Sequence, residues 1–403
     1  MRPLRVAVDA RFIPGNAGGV ETVVIGLAQG FAEIPFSGVA VIFVTYAGLN
    51  SWIDPYLSSS LRSVEVSPPS QANKMLRKTR LWAVRPHGRS FGVLPGRDRA
   101  MTSLDVDIVH LPRQTAGQVD QPFIYHPHDL QHRHLPNFFT ARQIASREVV
   151  YGSLCRKATA VAVGTSWVKR DLIEQMRIDP KKIFVIPLAP ATAAGEQRQP
   201  AELVRTDLPD RYIIYPAASW PHKNHIRLFE ALAMLRGRGI EIPLILTGPR
   251  HMGLDLSSLA INSGVRDLVF DLGYLSQVEV EALIKASMAM IVPTLFEAAS
   301  FPVWEAFRLG IAVACSNVTS LPQQVGTSGL LFDPDRTEAI ADAIVTLWED
   351  PIRRKQLADR GRERVNEFSW KRTAQHFLAL YRQVGGRKLS AANQHLLEKE
   401  PIL

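Results

Sequence analysis

Short apolar runs rich in β-branched residues punctuate the first half of the chain: LRVAVDA, VAVIFVTY, DIVHL, FIYHPHD and AVAVGTS. The stretches between most of them are long enough for helices or loops, and this alternation predicts a parallel α/β sheet. After KIFVIPLAP comes ATAAGEQRQPAEL, a polar stretch containing Ala and Pro and lacking a clear period, which reads as an interdomain linker. The pattern then restarts. Strands are predicted at YIIYPA, IPLILTG, DLVFDLGY, MAMIVPT, IAVACS and GLLFDP, with helices at HIRLFEALAMLRGRG, at QVEVEALIKAS, from Pro302 and from Arg336 to Glu349. PIRRKQLADRGRERVNEF and SWKRTAQHFLALYRQV close the fold as helices, and the polar tail from Gly385 is expected to be loose. No short-period repeat is visible.

The fold class is therefore α/β, with two domains at residues 1–190 and 205–368 and a C-terminal helix at 369–386 expected to pack back on the first domain. Two such domains joined by a linker predict a cleft facing the carboxyl ends of both sheets, a place where ligands bind. At 403 residues, the chain can bury a full core in each domain. Its 46% hydrophobic and 21% charged residues match ordinary soluble globular proteins rather than disordered or fibrous ones. Two cysteines, Cys155 and Cys315, make neither a disulfide framework nor a cysteine-based zinc site, and a reducing cytoplasm fits that usage. MRPLRVAVDAR lacks the long apolar core of a signal peptide, and no later segment stays apolar for about 20 residues, the length a membrane span needs.

The net charge of +9 argues for an anionic partner without naming it. From Val66 through Arg97 there is no acid, while Lys74, Arg77, Lys78 and Arg80 interleave with Met75, Leu76, Leu81 and Trp82. Anionic lipid, nucleic acid and plain solvation all suit such a surface. No zinc finger, RNP motif or KH-type loop accompanies it, which places nucleic acid last.

Several stretches carry candidate chemistry. In DARFIPGNAGGVE, Gly15, Gly18 and Gly19 let the backbone approach a ligand, and the helix from about Val20 directs its positive end there; a plain Gly-rich turn is the competing reading. No G-x-G-x-x-G or G-K-[ST] fingerprint is present. YHPHDLQHRH places His126, His128, His132 and His134 after a strand, open to three readings: a zinc site, a solvated loop, or His128 and Asp129 at a strand's carboxyl end with the imidazole donating to a substrate oxygen. YPAASWPHKNH sets Lys223 beside a helix N-terminus, either for a diphosphate or as a surface lysine. The Asp-x-Asp pairs Asp105/Asp107 and Asp333/Asp335 read as boundary carboxylates rather than metal ligands.

PTLFEAASFPVWEAFRLG puts Glu297 in the loop above a buried strand and Glu305 inside the first turns of a helix that Pro302 can start. Both carboxylates are expected to reach one pocket. Between them, free backbone N–H groups near Ser300, Phe301 and Val303 are expected to form an anion cradle without any metal. A helix-dipole role for an N-terminal acid explains one glutamate but not both.

Together these residues resemble the retaining, metal-independent glycosyltransferases of family 4 with the GT-B fold, over about residues 4–384. The resemblance rests on GGVE, HDLQH, GTSWVKRDL, WPHKN, LTGP, LGYLS and SLPQQVGTSGLLFDP in order, and above all on the Glu297 to Glu305 element. It implies two Rossmann-like domains, with Glu305 on the nucleotide ribose and Glu297 facing the transferred sugar. It implies further that Lys223, Ser300 and Phe301 hold the diphosphate, with Asn224 and Pro302 in the same donor-binding motifs. By the same resemblance, Gly18 and Gly19 would approach from the other domain, His128 would touch the sugar, and the backbone near Leu275 would meet the base. Three positions depart from the family: Ala218 stands where an arginine is common, Ser300 replaces the glycine usual after the first glutamate, and Gln323 replaces a glutamate.

The expectation is a cytoplasmic hexosyltransferase without cofactor or metal, using a nucleotide diphosphate sugar with GDP-mannose favoured. Its acceptor is a glycan or a polyprenyl-diphosphate-linked sugar, and nucleic acid is not a partner. The residues Lys74, Arg77, Lys78 and Arg80 are expected to dock it peripherally on an anionic membrane face. A nucleotide-sugar epimerase or a catalytically silent sugar-nucleotide binder is the alternative.

Overall fold

The computed structural model describes residues 2–13, 15, 18–35, 38–68, 96–190, 208–250 and 253–399. The basic cluster of Lys74, Arg77, Lys78 and Arg80 lies outside the described residues. The chain divides into two compact units, Met1–Leu188 with Ser369–Leu403, and Ala189–Phe368.

The first unit is built on a sheet of seven strands: β1 (Leu4–Asp9), β2 (Val39–Tyr46), β3 (Arg62–Val66), β4 (Ile108–Leu111), β5 (Phe123–Tyr125), β6 (Ala160–Val163) and β7 (Ile183–Val185). Their order is β3-β2-β1-β4-β5-β6-β7, and every ladder is parallel. Central strands such as IVHL and AVAV are buried at every residue, as expected when helices cover both faces. Helix α1 (Gly19–Ala32) follows β1. Helix α2 (Ala141–Lys157) opens with a capping box in which Thr140 and Gln143 satisfy each other's backbone N–H groups.

The second unit repeats the plan with six parallel strands: β8 (Ile213–Pro216), β9 (Leu244–Thr247), β10 (Val269–Asp271), β11 (Ala289–Val292), β12 (Val313–Ser316) and β13 (Gly329–Phe332). Their order is β10-β9-β8-β11-β12-β13. Helix α3 (His225–Gly237) follows β8, α4 (Gln277–Ala286) precedes β11, and α5 (Phe301–Leu309) follows it. In each sheet the order reverses beside the unit's first strand, between β1 and β4 and between β8 and β11. Such switch points open a crevice at the carboxyl ends of the two strands concerned.

At Ser369 the chain returns to the first unit through α6 (Trp370–Val384). Gly26 and Gly30 of α1, one turn apart, make room for it: a Cβ on Gly26 would lie 2.0 Å from the Trp370 ring, and one on Gly30 would lie 2.1 Å from the Trp370 carbonyl oxygen. The Thr373 hydroxyl donates to the Pro187 carbonyl at 2.7 Å. The tail expected to be loose contains a further helix, Ala391–Glu398, whose N-terminus is capped by the Ser390 side chain accepting from Asn393 N–H.

Candidate functional site

In the second unit, the crevice between β8 and β11 gathers the segments that carry the sequence signals. Leaving β8, the chain makes a 3₁₀ turn at Pro221–Lys223, and Asn224 takes left-handed backbone (φ 60°) to start α3. Asn tolerates that conformation better than most residues. Its side-chain amide donates to the carbonyls of Pro293 (2.9 Å) and Pro334 (3.0 Å), so the donor-binding role expected of Asn224 falls to a residue already bracing two loops. The β11 exit is fastened to the same turn, where Leu295 N–H and the Thr294 hydroxyl donate to the His222 carbonyl at 2.7 and 3.1 Å.

This bracing brings together two predicted residues 74 positions apart. Lys223 Nζ donates to Glu297 Oε2 at 2.6 Å. Glu297 is held in turn by Thr319, whose Oγ1 accepts from Glu297 N–H at 3.1 Å and whose hydroxyl reaches the Glu297 carbonyl at 2.5 Å. Thr319 pays for that clamp with a φ of 51°, a costly conformation for a β-branched residue. The Ser320 hydroxyl adds a bond to the same carbonyl at 2.7 Å.

The anion cradle is smaller than expected. Ser300 N–H donates to Gln324 Oε1 at 2.9 Å, and Gln324 Nε2 donates back to the Ser300 carbonyl at 2.6 Å. The Ser300 amide is therefore occupied, and the first-turn N–H groups of Phe301 and Val303 have no acceptor among the described residues, Pro302 having no N–H. Gln324 and Thr319 went unread in the sequence; SLPQQ showed only as a family motif, and nothing local says that its second glutamine faces a helix N-terminus.

Glu305 sits in the second turn of α5, 6% exposed, and accepts from Gln277 Nε2 of α4 at 3.2 Å. Burial pushes its carboxyl up to about 7 against that hydrogen bond, with Glu281 adding to the rise and Arg308 opposing it. The two glutamates thus have different partners, Glu297 on the β8 side and Glu305 toward α4. Leu275 is half-buried just before α4, beside the exposed Tyr274. Ala218 lies where the loop after β9 crosses closely: a Cβ on Gly248 would stand 3.0 Å from the Ala218 N–H nitrogen. Of the Asp-x-Asp pairs, Asp335 pairs with Arg227 at 3.2 Å, and Asp107 accepts from Arg5 N–H at 2.9 Å.

In the first unit, Gly18 and Gly19 are exposed at the start of α1, with Gly18 at φ 53°. Gly15 N–H already donates to the Glu21 carboxylate at 2.9 Å. His128, at φ 63°, donates its Nε2–H to the Pro112 carbonyl at 2.8 Å. The neutral ring thereby offers Nδ1 as an acceptor, not the donor expected from the sequence. The neighbouring histidines diverge. His126 meets His110 at 3.0 Å between Nε2 atoms, His132 meets Glu148 at 3.0 Å, and His134 meets Asp171 at 2.7 Å.

At the β1 and β4 ends stands a network that the sequence did not announce. Arg11 forks onto Asp9 (2.8 and 2.9 Å) and Asp98 (3.0 and 2.6 Å), and Arg113 Nη2 reaches Asp9 at 3.2 Å. Burial alone would raise the Asp9 carboxyl, but the guanidiniums of Arg113 and Arg11 hold it below its ordinary value.

Comparison with known proteins bears on this geometry. The family model for Glycosyl transferases group 1 matches residues 201–364, and that for Glycosyltransferase Family 4 matches residues 17–189. O-antigen chain mannosyltransferase B of Escherichia coli is 31% identical over 173 residues, covering 42% of this chain and 45% of that protein. MMP alpha-(1->4)-mannosyltransferase of Mycolicibacterium hassiacum is 28% identical over 226 residues, covering 54% of this chain and 52% of that protein. The chain thus spans about half the length of these curated relatives. Among solved structures, Anabaena Alr3699/HepE in complex with UDP and glucose superposes with a TM-score of 0.68 at 16% identity, covering 94% of this chain and 100% of that one, a likeness of fold. With two family models matching consecutive parts of it, and with a parallel Rossmann-like sheet in each unit, the chain belongs to the family 4 glycosyltransferases of the GT-B fold.

Proposed function

We propose that the chain is a retaining, metal-independent glycosyltransferase that moves a hexose, mannose favoured, from a nucleotide diphosphate sugar to a glycan or polyprenyl-diphosphate-linked acceptor in surface polysaccharide synthesis. GDP-mannose is the favoured donor, a choice supported by the mannosyltransferases among the relatives. The observation that carries the reading is the Lys223–Glu297 pair at the β8/β11 switch point, beside the N-terminus of α5.

When a glycosyl bond to a diphosphate breaks, positive charge develops on the sugar and negative charge on the leaving group. Lys223 and the N–H groups of Phe301 and Val303 supply fixed positive potential for the leaving diphosphate, and little reorganisation is needed because the loops are already braced. Glu297 aims the ammonium while empty and faces the electron-poor sugar when the donor is bound. Glu305 accepts from ribose hydroxyls. In retaining transfer of this kind, the departing phosphate oxygen takes the acceptor's proton, so no protein base is assigned. Among the described residues no helix is long and apolar enough to cross a membrane; peripheral docking by the segment around Arg77 remains part of the proposal.

The test is nucleotide-sugar binding by titration, followed by transfer from GDP-mannose with the product's anomeric configuration read by NMR, with and without a chelator. Inverted product or chelator-sensitive transfer would overturn the mechanism. Donor conversion without acceptor would favour an epimerase, and binding without turnover a silent subunit.

A further inference from the structure

The loop that carries Glu297 and starts α5 is shaped from outside itself. Parallel pairing of β11 with β12 sets Val292 opposite Cys315, and the Ser316 hydroxyl extends the contact by donating to the Val292 carbonyl at 3.2 Å. Residues 319–324, which follow β12, then lie against residues 297–300, which follow β11. Thr319 and Ser320 bond the backbone of Glu297, and the Ser320 hydroxyl also reaches the Ala298 carbonyl at 2.7 Å. Gln324 bonds both backbone groups of Ser300. The segment is itself anchored by Arg364 of the helix Pro351–Val365, whose Nη2 donates to the Gln323 carbonyl at 3.0 Å and whose Nε donates to the Gln324 carbonyl at 3.4 Å.

Two departures from ordinary local chemistry stand out. Ser300 occupies the N-cap of α5, where a serine side chain ordinarily accepts from a backbone N–H of the first turn; here it makes no such bond. Gln324, 1% exposed, fastens the serine's backbone instead, at 2.9 and 2.6 Å. The Val303 N–H and the Ser300 hydroxyl are thereby both left without a partner among the described residues. The second departure is Thr319, a β-branched residue at φ 51°. Glycine would adopt that turn without strain, but it would leave the Glu297 N–H without the acceptor that the Thr319 hydroxyl supplies.

Resting on the proposed transferase function, we infer that Gln324 and Thr319 are positioning residues for the donor, with separate tasks. Gln324 holds the first turn of α5 so that the N–H groups of Phe301 and Val303 and the Ser300 hydroxyl converge on the leaving diphosphate. Thr319 fixes the backbone from which Glu297 faces the transferred sugar.

The experiment uses the full chain. Wild type is titrated with GDP-mannose, GDP and guanosine, and with UDP-glucose, UDP and uridine, by calorimetry for the nucleotides and by NMR for the nucleosides. The series that binds tighter is carried to Gln324→Met, Thr319→Val and Thr319→Ser. Gln324→Met should cost the nucleoside diphosphate about 10- to 100-fold more than the nucleoside, the scale of bonds to a charged group. Thr319→Val, which keeps the shape and removes the hydroxyl, should cost the nucleotide sugar about tenfold more than the nucleoside diphosphate. Thr319→Ser keeps the hydroxyl and should lose less. Equal losses for nucleoside and diphosphate in Gln324→Met, or for diphosphate and nucleotide sugar in Thr319→Val, would overturn the inference and reduce the clamps to packing. Should Gln324→Met fail to fold, the Thr319 pair decides. If neither series binds wild type, the donor reading falls and this inference with it; wild-type binding that the variants leave intact overturns this inference alone.

Discussion

Lys223 Nζ lies 2.6 Å from Glu297 Oε2 with both side chains largely shielded, 18% and 15% exposed, so the pair is a charge-assisted bond and not a solvated surface contact. Removing either partner leaves the other uncompensated. Lys223→Ala and Glu297→Ala should each destabilise the second unit by about 1–3 kcal/mol, with the double variant losing less than the sum. Urea unfolding of the three variants measures this, and strictly additive losses would refute the coupling. In transfer assays Lys223→Ala should lower kcat/KM about 100-fold, the scale of losing one preorganised electrostatic contact.

The Glu305 carboxyl, pushed up to about 7 by burial, should make nucleotide binding depend on pH. Ionised oxygens accept ribose hydroxyls better than the protonated acid, so affinity should rise through about pH 7 and be flat in Glu305→Gln. Stability runs the other way. A carboxyl whose folded value exceeds its unfolded one contributes stability that is complete below the unfolded value of 4.5 and is lost as pH rises through about 7. Glu305→Gln should abolish that loss in thermal melts.

His110 bridges the Tyr381 hydroxyl (2.7 Å) and His126 (3.0 Å) in the core of the first unit, and burial pulls it down to about 3, with His128 adding to the effect. His126 and His128 are lowered as well, chiefly by burial. These rings fold neutral, so their contribution is complete above the unfolded value of about 6.5 and declines as pH falls toward 3. His110→Phe should cost about 1–3 kcal/mol at neutral pH by stranding the tyrosine hydroxyl, yet show a shallower decline in acid. An unchanged acid slope would remove His110 as a contributor.

Gly30→Ala would drive a methyl group into the Trp370 carbonyl, a backbone atom that cannot move alone. A loss of about 3 kcal/mol or more is expected from this forced separation of α1 and α6. Denaturant titration followed by tryptophan emission would show it, and wild-type stability would mean that α6 does not seat on α1.

How much of this could be read in advance depended on range. Eleven of the thirteen strands among the described residues announce themselves, most as nearly continuous apolar runs, and the βα alternation fixes the class; β3, the half-exposed RSVEV with Arg62 and Glu65, went unread, and β7 was passed over inside KIFVIPLAP. Lys223, Glu297 and Glu305 were legible because their motifs border strands and helix starts. What stayed hidden was pairing at a distance. Gln324 seals the Ser300 amide from 24 residues away, Asp98 joins Arg11 across 87, and no spacing rule reports either. His128 was found by position, but its proton's destination, the Pro112 carbonyl, is a fact of tertiary geometry.

The route of α6 bears on how the protein is made. Trp370 and Tyr381, which fill the groove on Gly26 and Gly30 and bond His110, are translated after every strand of both sheets. The amino-terminal lobe therefore leaves the ribosome with the apolar seat of α6 vacant, while the lobe encoded in the middle can finish first. Birth order and completion order are inverted, so early termination after residue 368 yields an orphaned first half beside an intact second one.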